Sequence, residues 1–319
     1  MDTALLERGL AVISRCKERT GDIWEAHIGA AGIAAYFLVK ENGFGGELAA
    51  RIVAQAGNML DAYAAPPPAG AVPDTSPADA ERLILEALER TIDGLHWVGH
   101  NVIYSAVSLM ALRELGNTRS RAEIDGIARL ILSFEKTIPG RSWIGYTASQ
   151  VKRFTIEESD HFPDIRNAAR LSAFILDEVA AFPVIYRAEA HHDLIGHMLT
   201  SSHALNILSD LGHEAYFRRG LPPLMKLVKA LRAARQVDLE QPPPLHSPVD
   251  RLPLVQASRS GCLPHETAYW TADYAGHDWD YGHVFKFPFS FYNHLNRLPG
   301  PARGGDRKFP LRRRQPFLV

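Results

Sequence analysis

The 319-residue sequence holds only two cysteines, Cys16 and Cys262, with no CxxC spacing. Two thiols cannot build the disulfide framework of a small secreted fold, so a reducing, cytoplasmic compartment is expected. Charge excess of either sign is missing too: 35 Lys and Arg stand against 36 Asp and Glu, a formal net charge of -1. That balance gives no electrostatic reason to bind nucleic acid or an acidic membrane. Apolar runs such as 28–39 and 102–112 fall short of the roughly 20 residues that span a bilayer. No signal-peptide pattern opens MDTALLERGL. Walker, GxGxxG and GxSxG motifs are absent, which removes the usual nucleotide, nicotinamide, flavin and serine-hydrolase readings. No run alternates apolar and polar residues convincingly over six positions, so strands have little support.

What is present is helical periodicity. Apolar residues recur at three- and four-residue spacing over 3–19, 23–41, 45–64, 78–92, 96–115, 121–136, 164–182, 186–211 and 221–235. Ser76, Pro77 and Asp79 form an explicit helix start. Gly116 and Gly212 read as stops, and Gly220-Leu-Pro-Pro as a break. Residues 65–73 are a Pro-rich connector, and 139–156 suit a short strand or irregular segment. The hydrophobic fraction of 46% allows a sizeable core. The expected architecture is all-α: one toroid-like domain or a large helical bundle over residues 1–298, with a possible sub-boundary near 117–140. The aperiodic, Pro-rich stretch 237–276 suits a lid or pocket wall. Residues 299–319 form a basic tail, its charge read as solvation.

Four histidines open four apolar helical stretches, each closing about four turns later at a glycine: His27 to Gly43, His100 to Gly116, His197 to Gly212 and His283 to Gly300. An imidazole in an apolar helix needs a partner, and a common metal ion would give the repetition a purpose. The alternative is that each ring bonds to backbone in its own corner. His96 and His100 are spaced i,i+4, which on a helix puts both on one face. Asp193 and His197 repeat that spacing, inside a segment that also holds His192 and His203. The pattern leaves open which of His96 and His100, and which of His192, His197 and His203, are ligands, and which orient them. Lys286, one turn beyond His283, lies in an aromatic run. It is either paired with Asp278 or Asp280, or neutral and able to add CO₂ as a metal-binding carbamate. The aromatics from Tyr269 to Tyr292 read as core or as walls for a flat substrate.

The stretches HIGAAGIAAYFLVKENG, HWVGH, HDLIGHMLTSSHAL and GHVFK together resemble, distantly, the questin oxidase-like family of helical proteins. The resemblance covers about 24 to 295. It implies oxidation of polycyclic aromatic or phenolic natural-product-like compounds by O₂ at a non-heme iron. By position, His27, His100, His197 and His283 would be the ligands, with Lys286, carboxylated or not, beside them. His96, His203 or Tyr104 would then remove a phenolic proton. Two other classes stand beside this reading: a zinc-type hydrolase or cyclase on the same scaffold, and a helical interaction protein without catalysis.

Overall fold

The computed structural model describes residues 2–63, 72–238, 240–241, 243–274 and 282–298. Gly300, the segment holding Asp278 and Asp280, and the basic tail lie outside them. The fold is all-α, with eleven α-helices among the described residues. The chain divides into two compact units, each assembled from separated pieces. Unit 1 comprises 1–92, 100–137 and 262–289; unit 2 comprises 93–99, 138–261 and 290–319. No described helix is long and apolar enough to cross a membrane.

Unit 1 is built on α1 (Ala4–Thr20), α2 (Ala26–Glu41), α3 (Gly46–Asp61), α4 (Pro77–Glu89), α5 (His100–Leu115) and α6 (Arg121–Leu132). Helices α2 and α5 are apolar nearly all round and buried on every side, so neither shows an amphipathic stripe. Around them α1, α3, α4 and α6 are amphipathic. Helix α1 packs against α2 at backbone distance: a Cβ on Gly9 would lie 2.7 Å from the Gly29 carbonyl oxygen. The helix starts follow from side-chain caps. Ser76 accepts from the Asp79 amide, and Ser120 from that of Glu123. Strands β1 (Pro73–Thr75) and β2 (Arg119–Ser120) pair antiparallel just before α4 and α6.

Unit 2 holds α7 (Ala148–Lys152), α8 (Ala168–Ala180), α9 (Leu194–Asp210) and α10 (Glu214–Arg232), with α8 and α10 both packed on α9. Helix α11 (His283–Asn296) starts in unit 1 and ends in unit 2. Strand β3 (Trp143–Ile144) pairs with β4 (Leu245–His246), where a strand or irregular segment was expected.

Three expectations change. Residues 96–99 do not belong to α5: Trp97, Val98 and Gly99 take φ of 41°, 53° and 99°, a left-handed turn that precedes the helix. It is held by Trp97 N–H to the Ile138 carbonyl (2.9 Å) and Val98 N–H to that of Pro139 (2.7 Å). A β-branched valine there is strained. Next, α10 runs through Pro222 and Pro223 rather than breaking at them. Burial of Phe217, Leu224, Leu227, Val228 and Leu231 on one face outweighs the hydrogen bonds that proline removes, a cost of about 3 kcal/mol for an interior proline. Finally, 186–211 is not one α-helix: a π-helical turn over Glu189–Asp193 precedes α9.

Within 237–276, the segment 244–257 is tied to unit 2 by main-chain bonds. Gly145 N–H reaches the Pro244 carbonyl, Arg187 N–H that of Val255, and Ala257 N–H that of Ile185. It forms a strap across the residues that lead into the π-turn.

Candidate metal centre

Each histidine picked out by the repeated pattern sits in the first turn of a helix. His27 is the second residue of α2, His100 the first of α5, His197 the fourth of α9 and His283 the first of α11. All four are buried.

Unit 1 brings three of them together. The His27 ring centroid lies 4.4 Å from that of His100 and 5.5 Å from that of His283, each ring edge toward face. Nδ1 of His27 is 2.6 Å from Nζ of Lys286. Lys286 follows His283 by three residues on α11 and is buried. A polar head so placed needs a polar neighbour, and His27 supplies one. His27 and His100 each offer a ligand nitrogen, the two within 4.8 Å of each other. Nitrogens sharing one ion at about 2.1 Å apiece stand at most about 4.2 Å apart. Side-chain shifts of under about an ångström would therefore bring both onto an ion.

The surround is aromatic. Trp24 stacks on His27 at 5.7 Å, Phe287 on His283 at 4.4 Å, and Phe134 lies parallel to His100 at 6.5 Å. Tyr104 meets both His27 (5.8 Å) and His100 (5.4 Å), while its hydroxyl donates to the Ile23 carbonyl at 3.1 Å. Buried histidines of this structure could thus hold a metal ion.

In unit 2 the expected Asp193–His197 pairing is formed. His197 Nδ1 lies 2.8 Å from the Asp193 carbonyl oxygen and 3.3 Å from its carboxylate Oδ2. Both oxygens accept, so Nδ1 carries a proton and donates it toward them.

The remaining candidates fall elsewhere. His96 lies outside α5, its ring against Gly94, so it does not share a helix face with His100. The left-handed turn at 97–99 is the reason. His192 sits half-buried in the π-turn. His203 is buried in unit 2, with Nδ1 3.0 Å from Ser290 Oγ. Burial pushes its imidazole well below the ordinary histidine value, aided by His294.

Two histidines the pattern did not single out prove to be structural. His294, eleven residues after His283 on α11 and so on the same helix face, is fully buried. Asn206 donates to Ser172 Oγ, Ser172 Oγ donates to His294 Nδ1, and His294 Nε2 donates to Leu199 O, with Ser202 Oγ at 2.9 Å. His191 accepts from Tyr186 N–H at Nδ1 and donates from Nε2 to Ala234 O. Burial brings each of these two imidazoles down to about 4. Asp250 accepts from the Glu189 and Ala190 N–H groups at the start of the π-turn, a contact across some 60 residues that no sequence signal announced.

No protein-family model, curated protein or solved structure matches the chain.

Proposed function

We propose that this protein is a non-heme iron oxygenase that acts with O₂ on a polycyclic aromatic or phenolic substrate. The ligand set is His27, His100, His197 and His283, with Lys286 beside it, free or carboxylated. One observation carries the reading: His27, His100, His283 and Lys286 converge in a buried aromatic surround within unit 1. His197 joins the set because it repeats the same sequence pattern and is anchored through Nδ1 to Asp193. Neutral imidazoles suit Fe(II), which when bound would supply O₂ activation and acidify a phenol. The chain's own residues would orient the imidazoles and exclude water, through Trp24, Phe134 and Phe287. Tyr104, one of the residues proposed for proton removal beside His96 and His203, packs against His27 and His100.

The test is metal analysis of protein purified without a His-tag or chelator, followed by O₂ uptake with a hydroxyanthraquinone. About one iron per chain is expected. His100→Ala and His283→Ala should each lose most of that iron while circular dichroism stays helical, because a large core folds without the ligand bond. Lys286→Met should reduce O₂ uptake more than iron content. Stoichiometric zinc would replace this reading with a hydrolase or cyclase, and a folded chain that takes up no metal would leave the interaction-protein reading.

A further inference from the structure

Three arginines of α1, Arg8, Arg15 and Arg19, line a cavity of about 70 Å³ beside the end of α3 in unit 1. Ala11, Val12 and Leu60 give it apolar lining, and Tyr63 adds a ring. The α1 positions 8, 11, 12, 15 and 19 recur at three- and four-residue spacing, so all five share one side of the helix. The Arg19 guanidinium lies 5.9 Å from the Tyr63 ring centroid, within reach of the attraction between a cation and a ring face. Two of the guanidiniums are already oriented. Arg8 Nη2 donates to the Gly57 carbonyl (2.9 Å) and to Asp61 Oδ1 (2.6 Å), and Arg19 Nη2 pairs with Glu25 Oε2. Among the described residues these bonds use one nitrogen of each fork, and the other donors of Arg8 and Arg19 are left for a guest. Both pairs face solvent, with the Asp61 side chain 70% and the Arg19 side chain 45% exposed. Such pairs hold weakly, so an incoming anion competes with them on even terms. The bond to Gly57 explains Arg8 as a tie between α1 and α3. It does not explain why Arg15, Arg19 and Tyr63 gather around an apolar cavity.

We propose that this cavity binds an aromatic monocarboxylate. A guanidinium is planar, and its paired donors match the two oxygens of a carboxylate. Among the three arginines, Asp61 and Glu25, at most one positive charge is left over. That suits the single charge of a carboxylate and not the two of a phosphate dianion. The ring of the guest belongs against Val12, Leu60 and Tyr63, where apolar burial and ring contact favour it. A cavity of about 150 Å³ holds a whole benzene. This one, about half that size, takes the carboxylate and one edge of a ring, with the far edge in solvent. None of the lining residues belongs to the proposed metal centre, so the inference stands apart from the oxygenase reading.

Full-length protein in chelator, titrated with benzoate and followed by calorimetry and by methyl NMR at Val12 and Leu60, decides the matter. Benzoate should saturate with a Kd below about 1 mM and shift the methyls of both residues. Inorganic phosphate, and benzamidine with the same ring and the opposite charge, should each bind at least about 10-fold more weakly. Arg15→Gln and Arg19→Gln each remove one charged donor and should weaken benzoate by about 10-fold or more. Arg15→Lys keeps the charge without the fork and should fall between. Tyr63→Leu removes the ring face and should cost a few-fold. Arginine variants that melt as wild type and bind benzoate unchanged overturn the proposal. So does benzoate that fails to saturate or leaves the Val12 and Leu60 methyls unmoved, and so does phosphate that binds as tightly as benzoate. Should a variant unfold, the methyl shifts and the ligand series on wild type still decide.

Discussion

Lowering the pH from 7 to 4 should strip several kcal/mol of stability from this protein. His191 and His294 are held neutral in the fold, each brought to about 4 chiefly by burial, against about 6.5 in an unfolded chain. As the pH falls through 6.5 the unfolded chain takes up protons that the native chain refuses. Stability contributed by these groups is therefore full above about pH 6.5 and is lost progressively toward pH 4. At about 1.4 kcal/mol for each pH unit that separates the folded and unfolded values, each site costs about 3 kcal/mol at the acid end, in a protein whose total is of the order of 5–15 kcal/mol. Geometry gives the same answer. Protonating His294 Nδ1 would turn the acceptor of the Ser172 hydroxyl into a donor, breaking the chain from Asn206 to Leu199. Carboxylates held low by partners, such as Asp93 by Arg219 and Asp160 by the Glu157 backbone and Lys229, act in the same direction but below about pH 4. Urea midpoints at pH 7, 5.5 and 4.5, in chelator, measure the effect. His294→Asn should flatten the slope by about one proton, and a midpoint constant across this range would refute the argument.

Gly29→Ala should prevent unit 1 from forming or destabilise it by about 3 kcal/mol or more, at the upper end for overpacking. The added methyl would overlap the Gly9 carbonyl oxygen and lie 2.7 Å from Ile13 Cγ1. Neither obstacle is a flexible chain end; one is backbone and the other a buried isoleucine. Helix α1 would have to move off α2 along its whole contact. Gly57→Ala is the matched control. It lies within α3, where the nearest atom to a new Cβ is Arg8 Nη1 at 3.8 Å. There the only change is helix propensity, which favours alanine by about 1 kcal/mol. The same substitution should thus lower the melting temperature at one glycine and raise it at the other.

The helices were legible because the forces that place them are local. The cap at Ser76, and the stops at Gly116 and Gly212 with φ of 62° and 93°, involve neighbours within a turn. The opening histidines were legible for the same reason: an imidazole at the start of an apolar helix is a sequence pattern. What was not legible depends on contacts far along the chain. The left-handed turn at Trp97–Gly99 is imposed by the carbonyls of Ile138 and Pro139, 41 residues on, against the local preference of a valine. Periodicity alone therefore extended α5 back to His96. The π-turn depends on Asp250, and the prolines of α10 on burial that local rules do not count. Lys286 was singled out as a buried amine, but that His27 would be its neighbour followed only from the packing of α2 beside α11.

The division of unit 1 into 1–92, 100–137 and 262–289 has a consequence for the order in which the protein comes into being. His27 and His100 leave the ribosome early, yet His283 and Lys286 belong to the last piece. At ordinary synthesis rates the interval between residues 137 and 262 takes on the order of ten seconds. Throughout it the nascent helices present two imidazoles without the pair that completes their surround. Any ion shared by His27, His100 and His283 would thus have to wait for the third piece of unit 1, and a chain cut short before residue 283 lacks part of the candidate site.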